Sequence, residues 1–138
     1  MNALLPVADA LNRVLASVRS TPGSVFMPLA EALDAILITG GTGFSGRDST
    51  PEAVAPLFDK TIDGFGEVFR ALSYQEIGSS TVQSRAIAGF ANNTVVFCVP
   101  GSTGACKTAW NGIIREQLDS THRPCNFVGV LEVRESTS

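Results

Sequence analysis

The run Ala35-Ile36-Leu37-Ile38-Thr39 followed by Gly40-Gly41-Thr42-Gly43 constrains this chain more than any other feature. An apolar stretch of this length, rich in β-branched residues, reads as a buried strand. Glycines at its end allow a sharp turn and a close backbone approach to a ligand. The N–H groups of such a turn converge into a concavity that suits an anion. Asp48 then brings a carboxylate, and Pro51 with Glu52 opens a helix. The layout points to a phosphate-bearing ligand with a divalent metal beside it.

A second segment repeats the design. Thr94-Val95-Val96-Phe97-Cys98-Val99 is apolar on both faces, as a central parallel strand is. It feeds Pro100-Gly101-Ser102-Thr103-Gly104 and then a helix over 105–118. In an open parallel sheet such turns lie at the carboxyl ends of the strands, where α/β proteins bind ligands. The two glycine loops, about sixty residues apart, are therefore expected to line one cleft.

The rest of the pattern is helical. Leu4, Val7, Leu11, Val14, Leu15 and Val18 recur at helical spacing. Thr21-Pro22-Gly23-Ser24 ends that helix, and a second one runs over 25–33. Thr50 reads as an N-cap with Pro51 in the first turn; Ser49 with Glu52 is an alternative capping box. Val54, Leu57 and Phe58 face inward. Phe65, Val68, Phe69 and Leu72 form another inward stripe. Ser79 or Ser80 caps a helix running towards Ala88, and Ala91-Asn92-Asn93 turns into the second strand. Residues 119–138 read as an irregular tail, and 1–138 as one domain.

Composition narrows the partners. With 44% hydrophobic and 17% charged residues the chain fits a globular class. A net charge of −3 argues against nucleic acid, whose backbone requires clustered Lys and Arg. No apolar run approaches the roughly 20 residues of a membrane span. The first 20 residues lack a basic leader, and Asp9 interrupts them, so a cytoplasmic location is expected. An odd count of three cysteines, Cys98, Cys106 and Cys125, without metal-ligand spacing suits reduced thiols.

Several chemistries are excluded. No Lys followed by Ser or Thr succeeds the last glycine, so the Walker pattern fails. Gly41-Thr42-Gly43-Phe44-Ser45-Gly46 matches a dinucleotide fingerprint by letters, but its helix starts too late. The lone His122 lies in the polar tail, and nothing places it in the cleft as the fixed base that a Ser-His-Asp or Cys-His arrangement needs. From spacing alone, Gly40, Gly41 and Gly43 are either a phosphate cradle or a tight turn. Ser80, Thr81, Ser102 and Thr103 are either caps or phosphate ligands, with Arg85 as a bidentate partner in the second case. Arg47 and Lys107 are either surface charges or sources of positive potential.

The whole set, Gly-Gly-Thr-Gly with Arg47-Asp48 and Thr50-Pro51-Glu52, Gly64-Phe65-Gly66-Glu67, Ser84-Arg85 and Pro100-Gly101-Ser102, resembles the molybdenum cofactor biosynthesis family. That family includes the molybdopterin adenylyltransferases, and the likeness is to its protein B branch over roughly residues 34 to 127. The resemblance implies a three-layer α/β/α fold with a mostly parallel, Rossmann-like sheet. It implies adenylyl transfer from Mg-ATP to the terminal phosphate of molybdopterin, or else a non-catalytic pterin-binding or assembly role in the same pathway. A structural paralogue whose oligomer matters more than its pocket is a third reading. The implied site comprises Asp48 as catalytic and metal-binding residue. Gly40, Gly41, Thr42, Gly43, Ser80, Thr81, Arg85, Gly101 and Ser102 are the implied substrate or nucleotide contacts. ATP and Mg2+, molybdopterin and self-association as a trimer or hexamer complete the expectation. Family members open with a further strand and a polar Ser-Asp loop on the nucleotide side. Residues 1–34 show no such opening, so the chain reads as divergent or shortened there: either the first strand–helix unit is lost, which leaves a sheet edge to be covered, or the true start lies upstream.

Overall fold

The computed structural model describes residues 35–137. The helices expected over 4–18 and 25–33, and the missing opening unit, fall outside the described residues.

Four strands form one mixed sheet in the order β1-β4-β3-β2. They are β1 (Ala35–Thr39), β2 (Lys60–Thr61), β3 (Ile87–Ala91) and β4 (Thr94–Val99). β1 pairs with β4 in parallel, Ala35 opposite Val95 and Thr39 opposite Val99. β3 is antiparallel to both β4 and β2. The short helix α1 (Thr50–Val54) continues into a 3-10 turn (Ala55–Leu57). α2 (Asp63–Ile77) runs into a 3-10 segment (Gly78–Gln83). After β4 come α3 (Thr103–Ala109), a π-helical turn (Trp110–Ile114), α4 (Arg115–Gln117) and α5 (Phe127–Ser136).

β4 explains the layering. Val95, Phe97 and Val99 point to one face, Val96 and Cys98 to the other, and all five are buried. On the first face they pack with Phe65, Phe69, Ala109, Ile114 and Leu131. Phe97 meets Phe65 edge-on at 5.1 Å between centroids, an arrangement aromatic quadrupoles favour. On the second face Val96 and Cys98 join Val54, Leu57, Phe58, Ile36 and Ile38. Helices thus cover both faces of an α/β sheet, as the sequence implies. The described sheet is mixed because the segment before β4 returns as a hairpin and makes no parallel crossover.

That hairpin corrects one expectation. The helix foreseen from Ser79 or Ser80 towards Ala88 is a 3-10 segment followed by β3. Ile87-Ala88-Gly89-Phe90-Ala91 carries small residues that let α2 and Phe58 approach both faces of the strand. A two-residue turn, Asn92-Asn93, joins β3 to β4, with Asn92 at φ 55°; asparagine tolerates that conformation.

The C-terminal residues differ as well. Where an irregular tail is expected, α5 packs Phe127 edge-on against Phe90 at 5.6 Å and buries Leu131. The Asn126 side-chain oxygen accepts from Gly129 N at 2.9 Å, starting the helix. Arg134 then donates to both Asp59 carboxylate oxygens at 2.7 Å and lies 4.6 Å over the Phe90 ring. Val68 also departs from its expected inward place: it is exposed on the outer side of α2.

Candidate functional site

The two glycine loops meet. Gly40 N donates to Val99 O at 2.9 Å, extending the β1–β4 ladder by one bond. A Cβ placed on Gly101 would lie 3.2 Å from Gly40 Cα, so the second loop rests on the first. Gly40 and Gly41 adopt φ of +96° and +69°, which side chains resist. Thr50 closes the first loop: its N–H donates to Gly41 O at 3.0 Å and its hydroxyl to Gly40 O at 2.9 Å. Thr50 is therefore the first residue of α1 with Ser49 as its N-cap, and Ser49 makes no side-chain cap bond. The expected hydroxyl cap is spent on the loop.

Between the loops and α2 lies a cleft of about 410 Å³. Gly40, Gly41, Thr42, Gly43, Asp48, Ser80, Thr81, Gly101 and Ser102 all line it. The sequence reading thus places nine of its ten site residues on one surface. The tenth, Arg85, does not line the cleft. Its guanidinium sits behind the first loop and donates to Thr42 O at 3.2 Å, to Gly43 O at 2.9 Å and to Asp48 O at 3.1 Å. It also pairs with Glu52 and covers the Phe44 ring at 5.2 Å. The residue expected as a bidentate partner for a phosphate clamps the loop here. These bonds to carbonyls use none of the loop's N–H groups.

Among the described residues Asp48 is the one titratable side chain in the cleft lining. Its Oδ2 accepts from Ser45 Oγ and from Ser45 N at 2.9 Å. The Ser45 hydroxyl, then the Ser45 N–H, the Gly43 N–H and the Arg47 charge hold its carboxyl below the ordinary value of 3.8. Glu52 is likewise held low, chiefly by its bond from Arg85. Among the described residues no three His, Cys, Asp or Glu side chains gather as a metal cage. A lone carboxylate among hydroxyls and amides still fits magnesium, which takes one or two carboxylates and completes its shell with water and phosphate oxygens.

Two hydroxyls are already committed to the fold. Ser102 Oγ accepts from Ala105 N at 3.1 Å as the α3 N-cap, and Thr81 Oγ1 donates to Arg70 O at 3.4 Å. Lys107 lies in a separate groove with Leu72, Glu76 and Thr108. His122 stands 3.9 Å from Glu116 and does not line the cleft. Sequence reasoning missed the third wall, Phe69, Ser73 and Ile77 of α2. The i, i+4, i+8 spacing was visible, but nothing in it distinguished a cleft wall from core.

The profile described as "Probable molybdopterin binding domain" matches residues 4–120. This chain belongs to the molybdenum cofactor biosynthesis family. It is 59% identical over 98 residues to molybdenum cofactor biosynthesis protein B of Escherichia coli K12, covering 71% of this chain and 58% of that relative. The protein B of Staphylococcus carnosus is 53% identical over 92 residues, 66% of this chain and 54% of the relative. The matched region thus spans little more than half the length of these family members. A crystal structure of a protein B superposes with a TM-score of 0.66 at 38% identity, covering 95% of this chain and 70% of that one. A tungsten cofactor synthesizing protein from Pyrococcus furiosus gives 0.61 at 40% identity, covering 77% and 62%. The fold and the family named by the glycine motifs are those the comparisons return.

Proposed function

We propose that this protein binds molybdopterin in the glycine cleft and transfers the adenylyl group of Mg-ATP to its terminal phosphate. The observation that carries this reading is the convergence of both glycine loops and Asp48 on one cleft. In that reaction a terminal phosphate oxygen attacks the α-phosphorus of ATP. The new P–O bond forms as the α-phosphorus–oxygen bond to pyrophosphate breaks, and pyrophosphate leaves. The nucleophile is already anionic at neutral pH, so no general base is needed, which agrees with a cleft lacking histidine. The requirements are in-line positioning and charge compensation. Loop N–H groups bind the phosphate, and ionised Asp48 is the residue that would hold a cation beside it. Magnesium, when bound at Asp48, would neutralise developing charge on the phosphoryl oxygens.

The second reading, a pterin-binding or assembly protein without turnover, is favoured by one fact: no Lys or Arg lines the cleft among the described residues. We further propose self-association as a trimer or hexamer, supported by exposed Val68, Tyr74 and Trp110. No helix among the described residues is long and apolar enough to cross a membrane. The free thiols of Cys98, Cys106 and Cys125 support a reducing, cytoplasmic setting.

The test combines the purified chain, molybdopterin and Mg-ATP, with chromatographic detection of adenylylated pterin. Product is expected from the wild type. Asp48→Asn should lower its rate by about a hundredfold while pterin still binds. Equal turnover by the variant would remove Asp48 from the mechanism. Pterin binding without product would establish the second reading.

A further inference from the structure

Gly64-Phe65-Gly66-Glu67 belongs to the family motif, yet none of its four residues lines the cleft. Phe65 is a core residue and Glu67 is exposed. Gly66 is buried in the first turns of α2, where glycine weakens a helix relative to alanine. Its surroundings explain its presence. A Cβ placed there would lie 2.6 Å from Arg70 Nη2 and 2.9 Å from Ala86 O. The bare backbone makes room for the Arg70 side chain, four residues along on the same face, to cross to the segment before β3.

Arg70 holds that segment at three points. Its Nη1 donates to Ala86 O at 3.0 Å and to Ser84 O at 3.5 Å, and its own carbonyl accepts from Thr81 Oγ1 at 3.4 Å. No carboxylate pairs with it among the described residues. Its charge is thus spent on backbone carbonyls, in bonds stronger than those between neutral groups. Ser84 and Ala86 are the chain neighbours of Arg85, so fixing their carbonyls fixes where the Arg85 side chain leaves the backbone. Arg85 in turn donates to the carbonyls of Thr42, Gly43 and Asp48. Two guanidinium groups therefore stand in series between α2 and the glycine loop. The segment they share also supplies Thr81 and Ser84 to the cleft lining.

We propose that Gly66 and Arg70 are positioning residues for the site: Arg70 sets Arg85, Arg85 sets the glycine loop, and Gly66 leaves the space this contact needs. The consequence for binding rests on the reading that the cleft holds molybdopterin; the mechanical coupling stands apart from it. Native-state hydrogen exchange reads the coupling at Ser45, Asp48 and Thr50, whose N–H groups are bonded within the loop. Val96 and Phe97, at the centre of β4, are the reference for general destabilisation. The proteins compared are wild type, Arg70→Ala, Arg85→Ala, the double variant, Gly66→Ala and Arg70→Lys.

Arg70→Ala should speed exchange in the loop about tenfold more than in β4. Combined with Arg85→Ala it should bring no further gain confined to the loop. Gly66→Ala should loosen the loop too, although helix propensity alone gives it a stabilising sign. Arg70→Lys, with one ammonium for two carbonyls, should fall between wild type and Arg70→Ala, and it carries the test if the alanine variant does not fold. Calorimetric titration with molybdopterin should show affinity about fivefold to tenfold weaker in Arg70→Ala. Equal acceleration of loop and β4 would overturn the proposal by making Arg70 a general stabiliser. So would a fully additive loop effect in the double variant, or a wild-type loop in Gly66→Ala. A loosened loop with unchanged molybdopterin affinity would overturn the role in binding. Failure of the wild type to bind molybdopterin would overturn the cleft reading, while the exchange data still decide the coupling.

Discussion

Replacing Arg85 with Ala should collapse the glycine loop without removing a direct ligand contact. The guanidinium donates to the carbonyls of Thr42, Gly43 and Asp48. Hydrogen bonds to a charged group contribute about 1.5–3 kcal/mol each. Water reaches the outer side of this loop, where Phe44, Ser45, Gly46 and Arg47 are exposed, so part of that loss is recovered. A net destabilisation of about 2–4 kcal/mol follows, a large share of the roughly 5–15 kcal/mol of an ordinary domain. The ion pair with Glu52 adds little, because that carboxylate is 59% exposed. Glu52→Gln should therefore unfold close to wild type. Arg85→Lys should resemble Ala more than wild type, since one ammonium cannot span three carbonyls. The assays are thermal unfolding and hydrogen exchange at the amides of residues 40–50. Normal stability and exchange in Arg85→Ala, together with lost ligand affinity, would refute the reasoning and return Arg85 to a direct phosphate contact.

Further expectations concern titratable groups. Asp48 has a folded value depressed below 3.8, with Ser45 as the largest cause. Its ionised form contributes fully above 3.8 and is lost only as pH falls through the lower folded value. Magnesium-dependent ligand binding should thus persist down to about pH 4. Ser45→Ala should move the acid limb upward, and a pH titration of affinity in which the two limbs coincide would contradict the assignment. Burial pushes the Cys98 thiol up to about 12, so alkylation at pH 8 followed by mass spectrometry should label exposed Cys125 and spare Cys98 until the chain unfolds. Early labelling of Cys98 would mean that β4 opens locally.

The glycine loops were legible because their physics is local. Positive φ and close approach demand glycine wherever the rest of the fold lies, so Gly40, Gly41 and Gly101 announce themselves. β4 was legible because a strand buried on both faces carries an unbroken apolar run. β3 was not. Ile87-Ala88-Gly89-Phe90-Ala91 carries alanines that favour helix, and only pairing with β4 and the close packing of Phe58 over Gly89 make it a strand. α5 was hidden because its apolar face is read against Phe90, a partner about forty residues away. The direction of Arg85 was not legible for a related reason. A motif fixes which residue is present, whereas the direction of its guanidinium depends on which carbonyls the tertiary fold brings within reach. The α2 wall was invisible because core and cleft share the same periodicity, and only the open side of the helix tells them apart.

The proposed ligand site joins the two glycine loops and Asp48. It is tested most directly by amide NMR spectra of the labelled chain titrated with molybdopterin. Saturable shifts concentrated at Gly40, Gly41, Thr42, Gly43 and Gly101, with Lys107 and Thr108 of the neighbouring groove unmoved, are the predicted result. Saturable shifts confined to that groove, or none in either loop at saturating pterin, would contradict it.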